Sequence, residues 1–220
     1  MTQASGSHLK APDASGDAIA VHAVGGKLIQ TVCVADDSGH IQGSLPTYFY
    51  CSPPIAVGAS KLMLDLFNAT GSGKVMDIRG VWVIAKTDVA VTGVVTARYD
   101  VYRTSAIGTG GTAASVDSAT ADPAGGNLTK FDELNAAIPA QITARVAPSA
   151  GATKSKWLFP VYTFPEETGV GAHLLQFQNA IPMFTYGQKL VVRENSGLLI
   201  QQGSVASVGS FAFLIAFTLE

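Results

Sequence analysis

The sequence predicts an all-β protein: an antiparallel β-sandwich or jelly roll of about nine or ten strands, with a flexible N-terminal arm and long loops. Three observations predict it. Polar and apolar residues alternate through Lys61–Arg103, KLMLDLFNATGSGKVMDIRGVWVIAKTDVAVTGVVTARYDVYR, and a period of two belongs to strands. The same alternation returns near the C-terminus, where Phe211, Phe213, Ile215, Phe217 and Leu219 oppose Ala212, Leu214, Ala216 and Thr218. Clusters of Gly, Asn, Asp and Ser separate these runs at short intervals, as turns do.

Taken in order, residues 1–17 are rich in Ser, Ala, Gly and Asp and form the expected arm; residues 18–220 form a single domain. A hairpin is expected from Ala18–Val24 and Lys27–Val34, closed by Gly25-Gly26. Tyr48-Phe49-Tyr50 precedes Pro53-Pro54 and reads as an extended edge segment, because proline removes a ladder donor. In the central block, Leu62, Leu64 and Leu66 oppose Met63, Asp65 and Phe67. Met76, Ile78, Trp82 and Ile84 oppose Val75, Asp77, Arg79, Val81 and Val83. Val95, Ala97, Tyr99 and Val101 oppose Thr96, Arg98, Asp100 and Tyr102. The connection Asn68–Gly73 has the small residues of a hairpin turn, and Trp82 and Tyr99 are expected inside.

Gly108–Gly126 is low in complexity and reads as a long surface loop. Leu128, Phe131, Leu134 and Ala137 recur at helical spacing and predict one short helix before Pro139. Further strands are expected at Gln141–Val146, Trp157–Phe164 and Leu174–Ile181. In the second of these, Trp157, Phe159, Val161 and Thr163 oppose Leu158, Tyr162 and Phe164. Lys189–Arg193, Leu198–Gln202 and Ser210–Leu219 read as a three-strand meander.

Hydrophobic residues make up 47% of the chain and charged residues 14%. Such a surface suits protein–protein packing better than a free monomer's need for solubility. A net charge of −2 with no Lys or Arg run disfavours nucleic acid. The N-terminal stretch lacks the cationic start and apolar core of a signal peptide. Ser196–Leu219 carries no charge and is long enough to cross a bilayer, but Gln201, Gln202 and Ser204 interrupt it and its last part alternates, so strands are expected and no membrane. Cys33 and Cys51 leave one disulfide open, although two cysteines are no framework and reduced thiols are expected.

Motifs that could carry chemistry are weak. Gly71-Ser72-Gly73-Lys74 resembles the tail of a phosphate loop, but Asn68 stands where its first glycine belongs and Val75 replaces the Mg²⁺-binding hydroxyl. His8, His22, His40 and His173 are scattered; Asp36, Asp37 and His40 suit a solvated turn better than a cation site. Glu166 and Glu167 are adjacent and point apart. Val205–Gly209 around Ser207 lacks the first glycine of a nucleophile elbow. Asn68-Ala69-Thr70 and Asn127-Leu128-Thr129 match the glycosylation pattern by chance. Tyr48, Tyr50, Trp82, Trp157 and Tyr162 could form a sugar-stacking platform, although aromatics at period two more often fill a core. No catalytic, cofactor-binding or metal site is expected, and the chain is read as non-enzymatic.

LFNATGSGKVMDIRGVWVI, Pro139–Thr168 and Leu190–Glu220 together resemble a family of tailed-bacteriophage virion structural proteins of the minor capsid or decoration type. The resemblance spans about Leu62–Glu220 and carries no catalytic residue. It implies a virion protein, assembled in the bacterial host cytoplasm, that decorates or cements the head. Its expected partners are the major capsid protein or other virion proteins, with homo-oligomers, a trimer favoured. A carbohydrate-binding module for host adhesion, or a tail or connector component, is the alternative.

Overall fold

The computed structural model describes residues 9–10, 18–19, 21–24, 27–30, 34–35, 41–42, 46–86, 97–150, 152–163, 178–179, 190–205 and 208–220. The chain divides into two compact units, Met1–Leu45 and Pro46–Glu220. In the first, six short strands form three antiparallel pairs. β1 (Leu9–Lys10) joins β2 (Ala18–Ile19), β3 (Val21–Val24) joins β4 (Lys27–Gln30), and β5 (Val34–Ala35) joins β6 (Ile41–Gln42). The expected hairpin is therefore present as β3–β4. The rest of the expected arm lies outside the described residues.

The second unit is a sandwich-like pair of sheets. Its strands are β7 (Thr47–Cys51), β8 (Ile55–Ala56), β9 (Leu62–Asn68), β10 (Met76–Lys86), β11 (Ala97–Thr104), β12 (Thr112–Ala113), β13 (Ser115–Val116), β14 (Asn127–Lys130), β15 (Ile142–Val146), β16 (Lys154–Thr163), β17 (Gln178–Asn179), β18 (Leu190–Val192), β19 (Ser196–Gln202) and β20 (Ser210–Leu219). The first sheet has the order β13-β14-β7-β20-β10-β17, with β18 also on β10 and β8 on β20; the second has the order β12-β15-β9-β19-β11-β16. Every pairing is antiparallel except β13 with β14.

The facing sides of the two sheets make one core. Phe211, Phe213, Ile215 and Phe217 of β20 are fully buried, as their alternation requires, and so are Tyr48 and Tyr50 of β7. From the second sheet Leu64, Leu66, Tyr99, Val101, Leu198 and Ile200 close on them. The Tyr99 ring meets Phe211 and Phe213 edge-on, with centroids 5.4 Å and 5.2 Å away, the geometry that ring quadrupoles favour.

Several expectations are corrected here. Consecutive strands do not form a meander: β9 lies in the second sheet, β10 in the first and β11 in the second. Asn68–Gly73 is thus an arch between sheets. The connections from β18 to β19 and from β19 to β20 likewise join opposite sheets, since β18 and β20 are in the first and β19 in the second. β7 is no edge segment but runs between β14 and β20; the prolines follow its end. No helix occurs among the described residues. Asn127–Lys130 pairs with β7 instead, and Phe131 packs its ring edge against Phe49, centroids 5.2 Å apart.

Two irregularities change which side chains face inward. The β10–β20 register shifts between Ile78 and Gly80. Met76 and Ile78 before the shift are buried, and so are Val81 and Val83 after it, while Trp82 turns to the outer side. Its ring lies over Gly80, where a Cβ would sit 2.3 Å from it. In β16 the register against β11 shifts between Phe159 and Trp157. Val161 and Thr163 stay inside, whereas Trp157 emerges on the outer face with Tyr162. Bulges of this kind re-aim side chains without ending the strand.

Candidate functional site

The outer face of the second sheet carries a group of exposed polar and aromatic residues. Alternation along β11 puts Ala97, Tyr99 and Val101 inward and Arg98, Asp100 and Tyr102 outward. On one side β16 places Tyr162 opposite Arg98 and Trp157 opposite Tyr102. On the other, β19 places Gln201 opposite Asp100. A groove of about 530 Å³ runs here, lined by Arg98, Asp100, Tyr102, Tyr162, Gln201 and the segment 202–205.

Its polar groups are fixed by one another. Asp100 Oδ1 accepts from Arg98 Nε at 3.1 Å, from Arg98 Nη2 at 2.7 Å and from Trp157 Nε1 at 3.0 Å. Asp100 Oδ2 receives no hydrogen bond from the described residues. Charge-assisted bonds of this sort hold a guanidinium in one orientation. Gln201 Nε2 donates to the Ser60 carbonyl at 2.7 Å, and Lys154 Nζ donates to Gln201 Oε1. The same ammonium sits 4.4 Å from the Tyr102 ring centre, a cation–π contact that pins the ring. Trp157 and Tyr162 remain 50% and 49% exposed.

Beyond the groove the same face is covered. Asp65 of β9 is fully buried beneath the segment after β11: the Gly108 amide donates to Oδ2 at 2.5 Å, and Oδ1 has no partner. Burial pushes its carboxyl up to about 6 from 3.8, against the opposing pull of the Gly108 amide and the Arg145 charge. Arg145 in turn donates from Nη1 to the Gly110 carbonyl at 2.8 Å. Part of the low-complexity stretch is thereby tied to the sheet.

The weaker sequence motifs resolve as structure. Gly71 and Gly73 adopt positive φ in the arch, and Glu194 Oε1 accepts from the Gly73 amide at 2.7 Å, so a carboxylate occupies the place a phosphate would take. Asn68 is buried, its Nδ2 donating to the Lys74 carbonyl at 2.8 Å; it is no glycan acceptor. Of the aromatic set, Tyr48 and Tyr50 lie in the core, Trp82 on the outer side of the first sheet, and Trp157 and Tyr162 on the outer face of the second, opposite Tyr102 and Arg98 and so four positions apart along β11. Cys51 is free and exposed. Asp36, Asp37, His40, Glu166, Glu167, His8, His173, Ser207 and Cys33 lie outside the described residues.

Among the described residues no group of three or more His, Cys, Asp or Glu gathers to hold a metal ion, and no helix is long and apolar enough to cross a membrane. Sequence reasoning missed Arg98, Asp100 and Gln201 as a set. The available signal was an Asp and an Arg within an otherwise core-forming strand, two residues apart and so on one face. Comparison with protein-family models, curated proteins and solved structures gives no match for this chain.

Proposed function

We propose that this chain is a non-enzymatic structural protein of a phage virion, a decoration, cement or spike-base component whose sandwich is a jelly roll that assembles into a closed homo-oligomer, a trimer favoured. One observation carries the reading: β7 pairs with β20, β9 with β19, β10 with β17 and β18, and β11 with β16. Outermost strand meets outermost and innermost meets innermost, as when one long antiparallel ribbon is rolled up. Jelly rolls recur in viral capsid and lectin domains, and fold alone does not fix function; the sequence resemblance to virion proteins supplies the setting.

The surface supports it. Phe131 and Leu134, 74% and 63% exposed, stand beside the β7–β14 end of the first sheet, and large exposed apolar side chains in a chain of low charge favour contact with another protein surface. Partners would be copies of this chain, the major capsid protein or other virion proteins. The function requires no chemistry: buried interface, repeated over a shell, contributes roughly 25 cal/mol per Å² of apolar area.

Size-exclusion chromatography with light scattering of the purified protein tests the assembly, and electron microscopy of particles incubated with it tests the setting. Closed oligomers that Phe131→Asp dissociates, and extra density on the head, are expected. A monomer at tens of micromolar, or particles left bare, overturns the reading. Deleting residues 2–17 should weaken attachment to particles while leaving the β-sheet circular dichroism unchanged.

A further inference from the structure

We propose that the groove on the outer face of the second sheet binds a short, neutral oligosaccharide. The inference rests on the groove and not on the virion reading. Its volume, about 530 Å³, is within the range of small-molecule sites. A pyranose ring has a face of C–H groups and a rim of hydroxyls, each a donor and an acceptor. The groove offers both complements side by side. Tyr162 lines the groove with half its surface exposed and provides a flat apolar platform for the C–H face. On the neighbouring strand, Asp100 presents Oδ2 as an acceptor, with its Oδ1 held by three donors. Arg98 supplies remaining guanidinium donors, and Gln201 an amide anchored at the Ser60 carbonyl.

Two features narrow the ligand class. Among the described residues, the charged ones lining the groove, Arg98 and Asp100, neutralise each other at 2.7 Å. An anionic ligand finds no unpaired cation among these lining residues, and a cationic one finds its carboxylate already compensated. A neutral polyhydroxylated molecule meets no such penalty. Second, the polar groups are held by mutual hydrogen bonds and by the Lys154–Tyr102 contact, so little ordering is lost on binding. The irregularity in β16 carries Trp157 out of the core to bond Asp100, which helps hold that carboxylate in place at the groove.

Saturation-transfer NMR on the intact protein tests this, with maltotriose, cellotriose and triacetylchitotriose as neutral probes and 3′-sialyllactose as an acidic one. Transfer to the ring C–H protons of at least one neutral trisaccharide is expected. Tyr162→Ala, at an exposed ring, should weaken that binding at least tenfold while leaving Tm unchanged, and Asp100→Asn should weaken it less. No transfer from any neutral probe at millimolar concentration overturns the proposal, as does transfer untouched by Tyr162→Ala or a preference for sialyllactose. Dissociation of an oligomer by Tyr162→Ala overturns it too, since the groove is then a contact between copies. The assembly reading stands through the first three of these failures, because strand order and not the groove carries it.

Discussion

Aromatic side chains do opposite work in two regions of the sandwich. Between the sheets, Tyr48, Tyr50 and Tyr99 are fully buried. Tyr50 donates its hydroxyl to the Gly125 carbonyl at 2.9 Å and Tyr48 to that of Ala136 at 3.0 Å, so the rings fill the core and two of the hydroxyls tether loops. On the outer face of the second sheet, Tyr162 and Trp157 leave half of their surface in water and are braced by polar neighbours. Residue type does not decide the role. The parity of the position along its strand does, and each register shift reverses that parity.

The difference can be measured as energy. Phe213→Ala, which empties the interior beneath Tyr99, should cost about 3–5 kcal/mol in urea denaturation; a cost below about 1 kcal/mol would mean the two faces are not distinct. Asp65 shows that the outer face is itself divided, since this carboxylate is as buried as the core. Its folded pKa, about 6, lies above the ordinary 3.8, so the folded state binds the proton more tightly. The resulting stability is fully present below pH ~4 and is lost as pH rises through about 6, a change of roughly 3 kcal/mol across that window. Asp65→Asn should flatten this profile between pH 4 and 7 and stabilise the protein at pH 7; an unchanged slope would assign the pH dependence elsewhere.

Gly126→Ala tests the loop tethered by the interior tyrosines. Gly126 has φ +79°, and a Cβ there would lie 2.4 Å from the Cys51 carbonyl oxygen and 2.9 Å from the Tyr50 hydroxyl. A loss of about 1–3 kcal/mol is expected, read from the denaturation midpoint. Trp157→Ala should have the smallest effect, on the order of 1 kcal/mol or less, because it removes an exposed ring and one hydrogen bond. If it rivals Phe213→Ala, Trp157 belongs to the core and not to the outer face.

Much of this was legible in the alternation of apolar residues. The inward sets of β11 and β20 follow directly from it, as does the all-β class. What alternation could not reveal was partnership. An arch between sheets and a hairpin within one use the same small residues, so Asn68–Gly73 looked like a hairpin. The helical spacing of Leu128, Phe131 and Leu134 was real, but the β7 edge gave Asn127–Lys130 a ladder, and tertiary pairing overrides local preference. Gly80 was the visible mark of a bulge in β10. In β16 no glycine marks the shift beside Trp157, and so its outward turn stayed hidden.

The pairing of β7 with β20 also sets a timetable. Thr47 meets Thr218 across the first sheet, and β20 is the strand that separates β7 from β10. At roughly 5–20 residues per second, a ribosome needs on the order of ten seconds or more to make the residues between them. During that interval β7, with its Tyr48-Phe49-Tyr50, has no central strand to pair with and offers an open apolar edge in a crowded cell. β20 is made after the other strands of its sheet and is the one that closes it, so a chain interrupted before residue 210 is left with two half-sheets and a ready surface for aggregation or for a chaperone.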